Sequence, residues 1–153
     1  MTIVAHEALL FSSTVLAGSL AGMELASWAV VHPAMSRLEH LEEVHAEKSL
    51  YRRFGLVQAP QMALTVTLSG VAAAVGGGTA GTLAGVATGC FAGMLALTFA
   101  GNMPLNVAVL RWQEPGDPVR WRRLRRRWDR IHTARIVLDV SGFGLLVAAC
   151  LER

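Results

Sequence analysis

Residues 82–110 read TLAGVATGCFAGMLALTFAGNMPLNVAVL and contain no Asp, Glu, Lys, Arg or His. This run is longer than the roughly 20 apolar residues that an α-helix needs to cross the hydrocarbon layer of a membrane. Three further stretches of similar character lie at residues 8–31, 56–76 and 131–151. Because their apolar residues are continuous rather than periodic, the sequence predicts an integral membrane protein with four spanning helices.

The composition of the chain agrees with this prediction. Of the 153 residues, 53% are hydrophobic and 16% are charged, against about 25% charged in an average soluble domain. These values exclude a disordered chain and an ordinary water-soluble globule. Cys90 and Cys150 both lie in apolar runs, which indicates packing roles rather than a disulfide framework or a redox pair. The predicted fold is all-α, a single four-helix membrane domain over residues 1–153.

Positive charge is concentrated in two of the connections between the spans. Residues 32–55 and 111–130 carry nearly all of the 14 Lys and Arg residues, whereas residues 77–81 carry none. The positive-inside rule therefore predicts that residues 32–55 and 111–130 are cytoplasmic and that both termini lie outside the cell (inner) membrane, with only Arg153 against the rule. No Lys or Arg precedes the first span, so a cleaved secretion signal is not expected.

The segment before the fourth span has the pattern of an amphipathic helix. Trp121, Leu124, Trp128 and Ile131 recur at helical spacing, and arginines fill the rest of the surface. We expect this helix to lie on the headgroups before the chain turns inward, with anionic lipid as the partner of residues 122–130. A basic stretch with aromatic residues could also bind nucleic acid, but the flanking spans favour lipid, so no nucleic-acid partner is expected.

Small residues indicate close packing between the helices. Gly18 and Gly22 are four residues apart in the first span, and Gly81, Gly85, Gly89 and Gly93 follow at the same spacing in the third. Packing within one bundle is favoured, and a homo-oligomer is left open. Pro104 removes a helix hydrogen bond and predicts a kink near residues 102–106.

Buried polar residues fall in the cytoplasmic half of the predicted bundle. Glu24, Asn102 and Asp139 each lie seven or eight residues from the cytoplasmic end of their span, or roughly 12 Å deep. Other polar side chains in the same half are Trp28, His32, Gln58, Gln61, Asn106, His132 and Arg135. Since Glu24, Trp28 and His32 are predicted to share one helix face, as are His132, Arg135 and Asp139, we expect one apolar-walled pocket with these groups at its floor and mouth.

Each of these residues also has a structural alternative. Arg135 and Asp139 could form an ion pair within one helix, and the two asparagines could hydrogen-bond between helices. Glu24 has no cation in its own span, so it must be protonated, pair with Arg135 or bind a metal. His40 and His45, in the acidic stretch 39–47, are expected on a solvated, salt-bridged helix.

The motif Asn102-Met-Pro-Leu-Asn106, then Trp112, then Trp121-x-x-Leu-Arg-x-x-Trp128-x-x-x-His132-x-x-Arg135 resembles the anthrone oxygenase-like family of small four-helix membrane proteins. The first span, with its closing His32-Pro33-Ala34, fits the same family, so the resemblance covers nearly the whole chain. It implies an oxygenase linked to the oxidation of anthrones to anthraquinones with dioxygen. Asn102, Asn106, Trp112, His132 and Arg135 correspond to family positions.

If this activity applies, the residues have the following expected roles. His132 is the general base or proton relay, and Arg135 with Asn102 and Asn106 stabilises an oxyanion. Asp139 orients Arg135 or His132. The residues expected to bind a small hydrophobic aromatic substrate are Glu24, Trp28, Gln58, Gln61 and Trp112. No organic cofactor is required with dioxygen as co-substrate, although Glu24, His32, His132 and Asp139 form a ligand set suited to iron or copper.

Two other classes of function remain open. A single carboxylate, Glu24, in the first of four spans would suit a proton-coupled small-molecule transporter. A non-catalytic membrane subunit is the third candidate. The family resemblance favours the oxygenase over these two classes.

Overall fold

The computed structural model describes residues 3–152, and within them every regular element is helical. The elements are α1 (Ile3–Ala26), a π-helical turn (Ser27–Val31), α2 (His32–Met35), α3 (His40–Val75), α4 (Gly78–Leu97), a second π-helical turn (Thr98–Asn102), α5 (Met103–Leu110) and α6 (Pro118–Leu151). They join into four rods, each long and apolar enough to cross a membrane. The predicted all-α, four-helix membrane fold is confirmed.

The rods extend beyond the predicted spans at one end of the bundle. α3 begins at His40 rather than near Leu56, and α6 begins at Pro118 rather than near Ile131. This end carries residues 32–55 and 111–130 and is called the basic end below. The opposite end holds the short turn between α3 and α4. Arg153, the one basic residue against the positive-inside rule, lies outside the described residues.

The amphipathic segment is helical as predicted, but it does not lie flat before a turn. It is the first part of α6, which continues without a break from Pro118 to Leu151. Trp121 and Trp128 are buried against Val44 and Tyr51 of α3 and against Leu105 and Val109 of α5. The apolar stripe therefore packs on protein rather than lipid.

Both π-helical turns end two residues before a proline, Pro33 in α2 and Pro104 in α5. A proline has no N–H to donate to the carbonyl four residues earlier, here Ala29 and Ala100, so the distortion falls in the turn that precedes it. The irregularity predicted at residues 102–106 is consequently found one turn earlier, at Thr98–Asn102.

The first π turn changes which residues share a helix face. In a straight α-helix Glu24 and His32 would lie about 80° apart around the axis. The π turn between them accommodates one extra residue, which reduces this angle to about 20°. Both side chains are buried, whereas Trp28, inside the turn, is 46% exposed. The predicted common face therefore includes Glu24 and His32 but not Trp28.

Tight helix contacts occur at some of the predicted small residues. A Cβ on Gly18 would lie 2.9 Å from the Phe143 ring, and one on Gly93 would lie 3.3 Å from Leu138. Gly22 and Gly89 have no such neighbour within 4 Å among the described residues. Thus Gly18 and Gly93 serve packing against α6 within the bundle. A tight aromatic contact also involves a glycine of α6 without a predicted role, Gly142, whose Cβ would lie 2.7 Å from Phe91.

Candidate functional site

A fully buried carboxylate, Glu24 of α1, is held by two residues of α6. Its Oε1 accepts a hydrogen bond from Nη2 of Arg135, and its Oε2 lies 3.1 Å from Nδ1 of His132. All three side chains are at most 5% exposed. Of the alternatives open to Glu24, pairing with Arg135 is the one observed, and this pairing supplies the counter-charge that a buried carboxylate requires.

The same arrangement is repeated nearer the basic end. Glu47 of α3 is 1% exposed, and its Oε1 lies 3.0 Å from Nη2 of Arg125 and 3.1 Å from Nδ1 of His32. Arg125 also hydrogen-bonds to the Tyr51 hydroxyl and to Asp129, which is 50% exposed. The bundle therefore contains two Arg–Glu–His groups. We call Arg135, Glu24 and His132 the inner triad, and Arg125, Glu47 and His32 the outer triad.

Trp128 of α6 joins the two triads. Its ring centroid lies 4.6 Å from that of His32 and 4.5 Å from that of His132, and the two imidazoles are 5.8 Å apart. The Arg125 guanidinium lies 4.7 Å from the Trp128 ring, within the range of a cation–π interaction. Nε1 of Trp128 donates a hydrogen bond of 2.7 Å to Asn106. The indole thus fixes the orientation of both histidines relative to α5.

The positions of the triads follow from helix periodicity. Arg125, Trp128, His132 and Arg135 are spaced by three, four and three residues on α6, which places them on one face. Glu24 and His32 meet this face together because of the π turn between them. Glu47 lies on the buried face of α3 with Val44 and Tyr51, at the same helical spacing.

Both histidines have a buried Nε2 without a protein partner among the described residues. In each ring Nδ1 lies 3.1 Å from a carboxylate oxygen, with hydrogen-bond geometry for His32 but not for His132. An imidazole held in this way on one side can exchange a proton on the other. The two Nε2 atoms are therefore the groups best suited to acid–base chemistry in the described bundle.

Two cavities border the histidine pair, where the sequence predicted one pocket. The Trp28 cavity has a volume of about 580 Å³, and its lining includes Trp28, His32, Pro33, Arg125, Asp129 and His132. The Met62 cavity has a volume of about 140 Å³, and its lining includes Phe54, Gln58, Met62, Met103, Asn106 and Arg135, together with both histidines. His32 and His132 therefore form a wall between the two spaces.

Asp139 and Asn102 form no hydrogen bond with either triad. Both are fully buried, and neither side chain has a hydrogen-bond partner within residues 3–152. Arg135 bonds to Glu24 instead of to Asp139, because the guanidinium reaches across to α1. The roles predicted for Asp139 in orienting Arg135 or His132, and its ion pair within α6, are not found.

Two predicted substrate residues lie away from the triads, and a third, Glu24, lines neither histidine cavity. Gln61 donates hydrogen bonds to Oγ of Ser19 (2.6 Å) and to the Leu16 carbonyl (3.3 Å), so it ties α3 to α1 and lines neither histidine cavity. Trp112 follows the end of α5, where its ring packs 5.3 Å from Trp121. Gln61 misses the site because helix phase turns it toward α1, and Trp112 misses it because it lies beyond the end of α5 at Leu110. By contrast, Trp28, Gln58 and Asn106 each line one of the two cavities.

The predicted metal set of Glu24, His32, His132 and Asp139 does not fit a metal ion in this arrangement. Across residues 3–152, no group of three or more His, Cys, Asp or Glu side chains is placed to hold one. Arg135 already occupies Oε1 of Glu24, and Nη2 of Arg125 lies 2.9 Å from Nδ1 of His32. A metal cation at either point would face a guanidinium charge at short range.

Sequence reasoning missed Glu47 and Arg125. Glu47 falls in the acidic stretch for which a solvated helix is predicted, and Arg125 falls among the arginines predicted to face lipid, although Arg125 is part of the quoted motif. The signal that could have found Arg125 is its spacing of three and seven residues from Trp128 and His132, which puts it on the buried face of α6.

The helix predicted from the acidic stretch is the start of α3, and ion pairs join it to the loop of residues 111–117. Nζ of Lys48 lies 2.8 Å from Oε1 of Glu114 and also donates to the Trp112 carbonyl, while His45 lies 2.9 Å from Oε2 of Glu114. The hydrogen bond from Lys48 is the main reason that the pKa of Glu114 is lowered from its ordinary value of 4.5. This cluster fixes the residue 111–117 loop against the start of α3.

Comparison with known proteins gives one match. A family model described as anthrone oxygenase matches residues 48–145, which is more than half of the chain. The matched range contains Arg125, Trp128, His132 and Arg135 but not Glu24, His32 or Glu47. No curated protein and no solved structure matches the chain.

Proposed function

The chain belongs to the anthrone oxygenase family, and we propose that it is a membrane-embedded oxygenase that oxidises a small, hydrophobic aromatic substrate with dioxygen. The observation that carries this proposal is the Nε2 atom of His132. It is buried and unpaired among the described residues, and it belongs to a ring whose Nδ1 is backed by Glu24. These are the features of a general base.

The sizes of the two cavities suggest which cavity binds the aromatic substrate and which binds dioxygen. The Trp28 cavity, at about 580 Å³, falls within the range of about 300–1,000 Å³ that is usual for small-ligand sites. The Met62 cavity, at about 140 Å³, is too small for a three-ring substrate but has room for dioxygen. We assign the aromatic substrate to the Trp28 cavity, where the indole offers a stacking surface, and dioxygen to the Met62 cavity. His132 borders both.

The reaction of an anthrone-like substrate begins with the loss of a proton from its ring methylene. Nε2 of His132 accepts this proton, and the carbanion that forms is delocalised onto the ring oxygen. Arg125 lines the Trp28 cavity, so its guanidinium, rather than that of Arg135, is assigned to stabilise this oxyanion. Arg135 holds Glu24 in place behind His132.

Dioxygen then accepts the electrons of the carbanion. One oxygen atom forms a bond to the ring carbon, the O–O bond breaks, and the second oxygen atom leaves as water with the two hydrogens of the former methylene. Anthrone and dioxygen thus give anthraquinone and water with every atom and electron accounted for. The step assigned to this chain is the transfer of protons through His132.

The test is dioxygen uptake and quinone formation by membranes that contain the protein, with a panel of anthrones and hydroquinones. Membranes with His132→Ala correct for autoxidation, and His45→Ala is the matched control because His45 is a surface residue outside both cavities. We expect turnover by the wild type and His45→Ala but not by His132→Ala. Equal rates in all three would overturn the proposal.

The other two classes of function have their own readouts in the same strains. Drug resistance that requires a proton gradient and is lost in Glu24→Gln would favour a transporter. Co-purification of a partner, with His132→Ala and Arg135→Ala tolerated, would favour a membrane subunit. The iron and copper content of the purified protein measures the metal alternative directly.

We further propose that the basic end faces the cytoplasm of a cell (inner) membrane, so that both termini lie outside. The support is the asymmetry in Lys and Arg. With Cys90 and Cys150 replaced by Ala, a membrane-impermeant maleimide should label Thr79→Cys in intact cells and Ser49→Cys only after permeabilisation. The opposite order would invert the orientation.

A further inference from the structure

A third cavity lies at the basic end, apart from both triads. It is formed where α5 ends and α6 begins and has a volume of about 670 Å³. Four arginines line it, Arg111, Arg120, Arg123 and Arg127, and we call it the Arg120 cavity. It shares no lining residue with the Trp28 or Met62 cavities. Nothing in the proposed oxygenase reaction uses it.

The charge of the Arg120 cavity is strongly unbalanced. None of its four guanidinium groups forms an ion pair within residues 3–152. The one acidic residue in the lining, Asp117, caps α6 by accepting a hydrogen bond of 2.8 Å from the Val119 N–H. The positive end of the long α6 dipole adds to the same field. The cavity is therefore complementary to an anion with several acceptor oxygens, such as a phosphate group.

The other part of the lining is apolar. Leu105 is buried, and Ala108, Leu124 and Trp112 complete this part, with Arg120 stacked 5.8 Å from the Trp112 ring. Val107 and Val119, which adjoin the lining residues Ala108 and Arg120 in the chain, are exposed. The cavity lies at the end of the apolar run 82–110, which is where lipid headgroups meet the hydrocarbon. A ligand that fits both parts has an anionic head and an apolar chain.

We propose that the Arg120 cavity binds an anionic phospholipid, with its phosphate between the arginines and the start of an acyl chain against Leu105 and Ala108. The charge complementarity and the depth in the membrane favour a lipid over a water-soluble phosphate. This inference is independent of the oxygenase proposal, because the two sites have no residue in common.

The arginines of α6 provide a matched control. Arg120, Arg123 and Arg127 line the cavity at helical spacing, whereas Arg122, Arg126 and Arg130 lie on the neighbouring face and do not. Replacing either set with Gln removes the same amount of charge from the same helix. A specific site distinguishes the two triple variants, and a general surface attraction does not.

The experiment uses the full chain in phosphatidylcholine vesicles with increasing amounts of phosphatidylglycerol whose acyl chains carry bromine, which quenches nearby indoles. The readout is the quenching that disappears in Trp112→Phe. In R120Q/R123Q/R127Q we expect half-maximal quenching to require about 10- to 100-fold more phosphatidylglycerol. In R122Q/R126Q/R130Q the requirement stays within about 3-fold of the wild type, since those arginines do not line the cavity.

Two results would overturn the proposal. An equal loss in both triple variants would mean that only general surface charge attracts the lipid. Displacement of the quencher by millimolar inorganic phosphate would mean that the cavity takes a water-soluble anion. Dioxygen uptake with the anthrone panel, measured on the same variants, keeps this result separate from that of the oxygenase test.

Discussion

His32 and His132 lie one hundred positions apart in the chain, yet their imidazoles meet edge to face, with centroids 5.8 Å apart and planes at 78°. Each ring has a carboxylate at Nδ1, and each carboxylate is paired with an arginine of α6. Because the surroundings of the two rings are so similar, the same substitution at both positions separates their roles.

We expect His132→Gln to reduce turnover by about 10²- to 10⁴-fold, the usual contribution of a general base. His32→Gln should reduce it by at most about tenfold, because the Gln amide can still bond to Glu47 and Arg125 while His132 remains. The measurement is the rate of quinone formation at saturating substrate. If the larger loss followed from His32→Gln, the base would be His32.

The inner ion pair predicts a non-additive effect on stability. Glu24→Leu leaves Arg135 as a buried, unpaired cation, and we expect a loss of about 3–5 kcal/mol in the free energy of unfolding. The double variant E24L/R135M removes both charges and should regain most of this loss, since an apolar pair can replace a buried ion pair. It should nevertheless stay inactive, because His132 has lost its carboxylate.

Denaturant titration in detergent micelles compares the single and double variants. A double variant no more stable than Glu24→Leu would mean that the ion pair is not the source of the effect.

Two glycines of α6 offer a test of helix packing. A Cβ at Gly142 would lie 2.7 Å from the fully buried Phe91 ring, whereas a Cβ at Gly144 would have no heavy atom within 4 Å among the described residues. Gly142→Ala should therefore destabilise the fold by about 1–3 kcal/mol. Gly144→Ala should leave it unchanged or slightly more stable, because Ala favours helix. Thermal unfolding of the two variants, side by side, checks this, and an equal response would contradict the contact.

The Lys48–Glu114 interaction predicts a pH dependence at the basic end. The pKa of Glu114 is lowered in the folded state, mainly by its hydrogen bond to Lys48. Its contribution to stability is therefore complete above the ordinary pKa of 4.5 and is lost as the pH falls through the lower, folded value. The melting temperature of the wild type should fall more steeply below pH 4.5 than that of Glu114→Gln. Parallel curves for the two proteins would show that Glu114 carries no such linkage.

Hydrophobicity predicted the four spans well because lipid offers no hydrogen bonds, so each crossing segment must be one long apolar helix. The same reasoning stops at the membrane boundary. Residues 40–55 and 118–130 are highly charged. Helix is predicted within both segments, but their joining to the spans as continuous helices depends on contacts such as Tyr51 with Trp128, which no local pattern reveals.

The site was only partly predictable for a related reason. Burial of Glu24, His132 and Arg135 could be inferred from depth alone, since polar groups within a span must find partners. Glu47 lies among exposed acidic residues, and its burial depends on Arg125 and His32, which come from two other rods. Gln61 had the right depth but faces Ser19, because depth does not determine rotation about the helix axis.

The π turn at Ser27–Val31 has a consequence for comparing this chain with its relatives. A relative whose first helix is uninterrupted would need one residue fewer between the counterparts of Glu24 and His32 to bring both to the same face. A gapless alignment of the two sequences would then pair His32 with the wrong position, even if both proteins keep the histidine. The same shift by one position applies to an alignment across the second π turn, Thr98–Asn102. If a relative has no asparagine opposite Asn102 or Asn106 in a gapless alignment, the asparagine should be sought one position away.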